Sequence, residues 1–199
     1  MKLLSGYFKR IFTKKEFFGI ALILTVILGF MVFNFNVSER KARDVQRKQD
    51  VRDISDALES FRGDIGSYPA SENGKIIACD SGKKDSLGKV IPRTCRWGED
   101  SLTDVTGFKS TRYMERISVD PKNSEGVDYY YISDGRFFQL FAALESSAEA
   151  EYDPAIAARG LICGNKTCNF GLASGRTPLD KSLAEYENEI DAKTAPNKK

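Results

Sequence analysis

The sequence predicts an α+β fold: a long N-terminal helix, half transmembrane and half amphipathic stem, packed on a small C-terminal antiparallel β-sheet. Three observations predict it. Residues 17–35 read FFGIALILTVILGFMVFNF, a run without a charge in which only Thr25 and Asn34 are polar. Ser38 to Phe61 contains no Pro or Gly, and Val51, Ile54, Ala57, Leu58 and Phe61 recur in it at helical spacing. Two aromatic runs, Val127–Ile132 and Phe137–Leu144, flank Ser133-Asp134-Gly135, the composition of a hairpin turn.

As a helix at about 1.5 Å per residue, the apolar run measures roughly 28 Å, close to the thickness of a bilayer's hydrocarbon core. It exceeds the 7–15 apolar residues usual for a cleaved secretory signal, and no small-x-small cleavage pattern follows Asn34 to Ser38. A retained single-pass anchor is expected. Before and within it, residues 1–36 hold five basic side chains against Glu16, whereas the rest of the chain holds 25 basic and 27 acidic ones. A mildly acidic body with a basic leader is a poor electrostatic match to nucleic acid, so no nucleic-acid partner is expected.

The positive-inside count does not orient the span, because Arg40, Lys41, Arg43, Arg47 and Lys48 follow it as closely as the leader's cations precede it. Cysteine usage orients it. Cys79, Cys95, Cys163 and Cys168 all lie in the body, and disulfides persist outside the reducing cytosol. The expected localisation is the cell membrane, with the N-terminus cytoplasmic and the C-terminal body extracytoplasmic.

The stem carries Arg and Asp around its apolar stripe, with Asp44 and Lys48, and Arg52 and Asp56, four residues apart. Gly63, Gly66 and Tyr68-Pro69 mark its end. Ala70 to Thr111, rich in Gly, Ser, Asp and Lys, reads as a long loop stapled by a disulfide, with a short helix near Thr111 to Arg116. Both strand runs carry apolar residues on both faces, so one face is available to the stem's stripe. Leu161–Cys163 and Cys168–Phe170 read as a second hairpin, and Leu183 to Ile190 as a short helix in a polar tail. The chain thus divides into a basic leader (1–16), a span (17–36), a stem (37–66), a disulfide-stapled loop region (67–126), a sheet (127–175) and a tail (176–199).

Four cysteines allow three pairings. The local one, Cys163 with Cys168 and Cys79 with Cys95, is expected; a zinc site of four thiolates is the alternative, although neither pair has the two-residue spacing usual for zinc. No metal and no cofactor are expected. The chain has no histidine, which removes histidine triads, HExxH zinc proteases and most general bases working near neutral pH. Asp50 and Asp53 are paired carboxylates on the stem, where a solvated face is the expected environment, and Ser81-Gly82-Lys83-Lys84 lacks phosphate-loop spacing. Enzyme activity is not expected.

The order of these parts resembles type IV pilins and the pseudopilins of type II secretion systems. Phe12-Thr13-Lys14-Lys15-Glu16 resembles the Phe-Thr-Leu-Ile-Glu start of a mature pilin. Ala42 to Leu58 and Gly66-Ser67-Tyr68-Pro69 are similar to the stem and stem exit of pilin-like proteins. Tyr113-Met114 and Ile117 to Asn123 resemble the segment leading into their sheet, and Tyr129 to Leu144 the sheet itself. The resemblance covers residues 12–172.

It implies a structural subunit that packs with other pilin-like subunits through the apolar helix, served by secretion or pilus assembly machinery. It also implies that Glu16, at the family's fifth mature position, neutralises the N-terminal amine of a neighbouring subunit, and that processing falls between Ile11 and Phe12. The family's processing enzyme cuts after glycine, however, and Ile11 stands there; Lys14 and Lys15 stand where the family is apolar. The alternative is therefore an unprocessed membrane-anchored binding protein, an assembly factor or adhesin with a pilin-like head.

Overall fold

The computed structural model describes residues 14–105 and 111–194. Contacts within the chain divide it into two units, Met1–Ala42 and Arg43–Lys199, here the anchor unit and the head. Helix α1 (Lys14–Ile65) supplies the described part of the first and opens the second.

In the anchor unit, the apolar run is helical and exposed on all sides; none of its most apolar 18-residue window is buried by the protein. Phe18, Leu22, Leu28, Phe30 and Met31 face outward alike. Among the described residues of the anchor unit nothing covers this helix, and it is long and apolar enough to cross a membrane. Thr25, within the run, spends its hydroxyl on the Ala21 carbonyl at 2.8 Å, which satisfies the donor without water.

In the head, α1 buries Val51, Ile54, Ala57, Leu58 and Phe61, the stripe the spacing predicts. The helix stops where Gly66 takes the left-handed conformation (φ +88°) and its N–H donates to the Arg62 carbonyl at 2.7 Å, a C-terminal cap that a side chain at Cβ disfavours. Gly63 lies inside the last turn and does not end it.

Two three-stranded antiparallel sheets face this stripe. The first has the order β1 (Ala70–Glu72), β2 (Lys75–Lys84), β3 (Val90–Thr94). The second has the order β10 (Phe170–Ala173), β7 (Phe138–Ala142), β6 (Tyr130–Ser133). They are linked where the Tyr131 N–H donates to the Gly74 carbonyl (2.9 Å) and the Ser133 N–H to Ser71 Oγ (2.9 Å). Small pairs β4 (Leu102–Thr103) with β5 (Arg112–Met114), and β8 (Ile162–Cys163) with β9 (Lys166–Thr167), complete the strands among the described residues.

Strand β7 is buried along its whole length. Because side chains alternate, Phe138, Leu140 and Ala142 enter the main core with Ile54 and Leu58 of α1. Phe141 turns to the other face and packs with Val127, Ile156, Cys163 and Cys168. Ile156 comes from α2 (Pro154–Ala158), a short helix capped by Asp153, whose Oδ1 accepts the Ala155 N–H at 2.8 Å. The sheet thus receives the stem on one face, as the two-faced apolar pattern predicts.

The stretch expected as loop, Ala70 to Thr111, carries β1 to β4, and the helix expected near Thr111 to Arg116 is strand β5. No strand period shows in the sequence there because β2 pairs β3 across register shifts and its outer half faces water, which breaks the alternation. The Asp134-Gly135 hairpin and a C-terminal helix, α3 (Leu183–Thr194), are present as expected. A hairpin also stands at the Cys163–Cys168 loop, but its return strand is β9 (Lys166–Thr167), within the stretch expected as the turn, and Phe170 of the expected strand Cys168–Phe170 belongs to β10 beside β7.

Candidate functional site

The stem's buried face does not end at Val51. Asp44, Arg47 and Lys48 lie one and two turns before it on the same helical face, and all three are buried. The face becomes ionic there because of what it meets. Arg47 Nε donates to Asp120 Oδ2 (2.7 Å) and Nη2 to Asp120 Oδ1 (2.9 Å), a two-point pair. Its Nη1 donates to Asp44 Oδ1 (2.9 Å) and to Glu145 Oε1 (2.8 Å). Arg43 grips Glu145 with a second fork, Nε to Oε1 at 2.7 Å and Nη2 to Oε2 at 2.8 Å. Backbone donors hold the carboxylates in turn: the Glu145 N–H donates to Asp44 Oδ1 (2.9 Å) and the Lys122 N–H to Asp120 Oδ1 (2.7 Å). Among the described residues, Asp44 Oδ2 is buried without a hydrogen-bond partner.

The electrostatics follow from the geometry. The Arg43 guanidinium, with help from Arg47, holds Glu145 down at about 2 against the opposing effect of burial. Burial acts to lower the Arg47 pKa, but the bonds from Asp120, Glu145 and Asp44 outweigh it and raise it, so the guanidinium stays charged. One turn along, Lys48 Nζ donates to Glu149 (3.1 Å) and Glu151 (2.9 Å), and chiefly Glu151 raises its pKa. The Asp44–Lys48 pairing suggested by four-residue spacing is not made; Lys48 turns to these distant acids and Asp44 to Arg47.

Asp50 is not on a solvated face either. It is half-buried, burial pushes its pKa up, and Oδ2 accepts the Tyr129 hydroxyl at 2.7 Å. Asp53 remains exposed and accepts from Gln49 at 2.7 Å.

Beside the Arg47 cluster lies a cavity of about 370 Å³ lined by Arg47, Glu145, Lys122, Glu125, Lys166 and Thr167, among others. Lys166 and Thr167 reach it on β9, inside the loop closed by Cys163–Cys168. That loop lies against residues 126–128: Val127 bridges Gly164, and a Cβ at Gly164 would collide with the Gly126 carbonyl oxygen. Asn165 Nδ2 donates to the Glu125 carbonyl at 2.7 Å. The cavity therefore joins stem, inter-strand loop and disulfide hairpin within the head.

Both disulfides have the local pairing, Cys79 with Cys95 and Cys163 with Cys168. The described chain has no free cysteine, so no thiolate remains for zinc. Glu16 stands in the first turn of α1. Ile11 and Phe12 lie outside the described residues. The Arg47–Asp120–Glu145 cluster was missed in the sequence because charges do not register in an apolar period; the signal was the heptad-like continuation of the stripe to Asp44 and Arg47.

No family model, curated protein or solved structure matches this chain.

Proposed function

We propose that this chain is a pilin-like or pseudopilin-like structural subunit, anchored in the cell membrane by α1 with its head on the extracytoplasmic side. The observation that carries the reading is the division of labour along α1. One helix is apolar all round over residues 17–35 and then buries a single stripe against small antiparallel sheets. That is the layout of a subunit whose helix packs with others while its head stays outside. Two disulfides in the head support the oxidising side of the membrane. The reading is non-enzymatic. The Arg47 guanidinium is engaged by three carboxylates, which leaves it a structural clamp. The partners are the membrane, other pilin-like subunits and the machinery that assembles them.

A second reading has an observation of its own. Ile11 replaces the glycine after which pilins are cut, and Lys14 and Lys15 would carry two cations into a filament core. This favours an unprocessed, membrane-anchored binding protein. The mass and N-terminal residue of the protein from membranes and from sheared surface fractions separate the two. A chain starting at Phe12 in the sheared fraction, lost on Glu16→Ala, supports the subunit; an intact chain confined to membranes and indifferent to Glu16→Ala supports the unprocessed relative.

A further inference from the structure

The charges in the walls of the cavity beside Arg47 are answered in turn, with one exception. Arg47 is held by Asp120 and Asp44, and Glu145 by Arg43. Lys122 Nζ donates to Glu125 Oε2 at 3.1 Å. Lys166 makes no ion pair and no side-chain hydrogen bond among the described residues. The cavity therefore keeps one unbalanced ammonium group.

Its walls are braced. Lys166 sits on β9, inside the ring closed by Cys163–Cys168. That ring is joined to the segment carrying Lys122 and Glu125 by main-chain bonds, from the Asn165 N–H to the Gly126 carbonyl (2.9 Å) and from the Asp128 N–H to the Cys163 carbonyl (3.3 Å). Leu144, in another part of the wall, is gripped by Asn169, whose Oδ1 accepts the Leu144 N–H (2.7 Å) and whose Nδ2 donates to the Leu144 carbonyl (3.0 Å). Walls held in this way need little ordering when a ligand binds.

Val127, Ala143 and Leu144 make part of the lining apolar. An unbalanced ammonium beside apolar side chains suits a ligand with a negative head and a short hydrocarbon body. Glu125 and Glu145 limit how negative the head can be. A phosphate dianion would be repelled by both about twice as strongly as a monoanion in the same place. The volume of about 370 Å³ lies at the small end of ligand sites, which run from about 300 to 1,000 Å³.

We propose that this cavity binds a small organic monocarboxylate, with the carboxylate on Lys166 Nζ and the aliphatic body against Val127, Ala143 and Leu144. Lys122 adds a second cation to the site, at the expense of its bond to Glu125. The proposal concerns the head alone. It requires neither the span nor the pilin-like reading, and either can fail without affecting it.

The test uses the full chain in nanodiscs, with the Val, Ala and Leu methyl groups labelled for NMR and hexanoate as the added anion. Hexanoate should shift the Val127, Ala143 and Leu144 signals saturably. Hexanamide, the same body without the charge, should bind about tenfold more weakly. Lys166→Gln should weaken hexanoate about tenfold, and Lys166→Arg should keep most of the affinity. Glu125→Gln should tighten hexanoate about threefold, because it removes a repulsive charge and releases Lys122. Lys166 and Glu125 are both exposed, so these variants keep the fold, and Lys89→Gln on the exposed β2–β3 turn is the unaffected control. Equal binding of hexanamide, or indifference to both Lys166→Gln and Glu125→Gln, overturns the proposal. So does tighter binding of inorganic phosphate at the same methyl groups, which would make the cavity a site for charge alone.

Discussion

Arg47 and Asp120, 73 positions apart, form a two-point ion pair in which the side chains are 1% and 0% exposed. It fastens the start of the head's helix to the loop before β6. Such a pair is costly to break from one side, because the surviving charge keeps its burial and loses its partner.

Arg47→Ala should therefore destabilise the head by about 3–5 kcal/mol, since Asp120 and Asp44 both stay buried. The double variant Arg47→Met with Asp120→Leu should cost clearly less than the sum of its single changes. Denaturant unfolding of the four proteins completes the cycle, and additive costs would show that the pair is not coupled.

Acid should weaken the head through Glu145 and Asp100. Arg43 holds the first at about 2, and Arg93, bound in a fork at 2.7 and 2.8 Å, holds the second at about 2. A folded pKa below the unfolded one gives stability that is complete above the ordinary carboxylate range. That stability is lost as pH falls from about 4.5 to 2. Glu145→Gln should lower stability at pH 7 by about 2 kcal/mol and flatten the acid limb of a Tm-against-pH curve. An unchanged acid limb would count against the Glu145 assignment.

Asp128 has the opposite sign. Burial pushes it up to about 6, so the folded head binds its proton more tightly than the unfolded chain does. The ionised form is a liability that grows as pH rises from about 4 to 6. Asp128→Asn should stabilise the head by about 1–2 kcal/mol at pH 8 and by nothing at pH 3.5. Paired melts at the two pH values check it.

The disulfides should differ in worth by loop length. Removing Cys79–Cys95, which spans 16 positions, should cost about 3 kcal/mol, and removing Cys163–Cys168, which spans five, about 2 kcal/mol. Alanine pairs at each bridge, unfolded in urea, measure both.

Begun at Arg43, the chain should remain soluble and mixed α/β by circular dichroism. The residues that cover the stem's stripe, from Tyr68 to Phe170, all lie in the head. A largely unstructured spectrum would show that the head needs the anchor unit to fold.

What the sequence by itself determined is whatever a local period or a turn dipeptide can encode. The uncharged run at 17–35, the stripe from Val51 to Phe61, the Asp134-Gly135 hairpin and the local pairing of Cys163 with Cys168 depend on near neighbours in the chain, and all are present. Tertiary structure alone decided the rest. Lys48 prefers Glu149 and Glu151 to the nearby Asp44, and Asp50 is drawn into burial by Tyr129, because partners more than 75 positions away arrive just before β6 and in the loop after β7. Asp44, Arg47, Asp120 and Glu145 read as surface charges until the fold brings them together. Desolvation then makes their mutual pairing obligatory, and desolvation has no counterpart in a one-dimensional pattern.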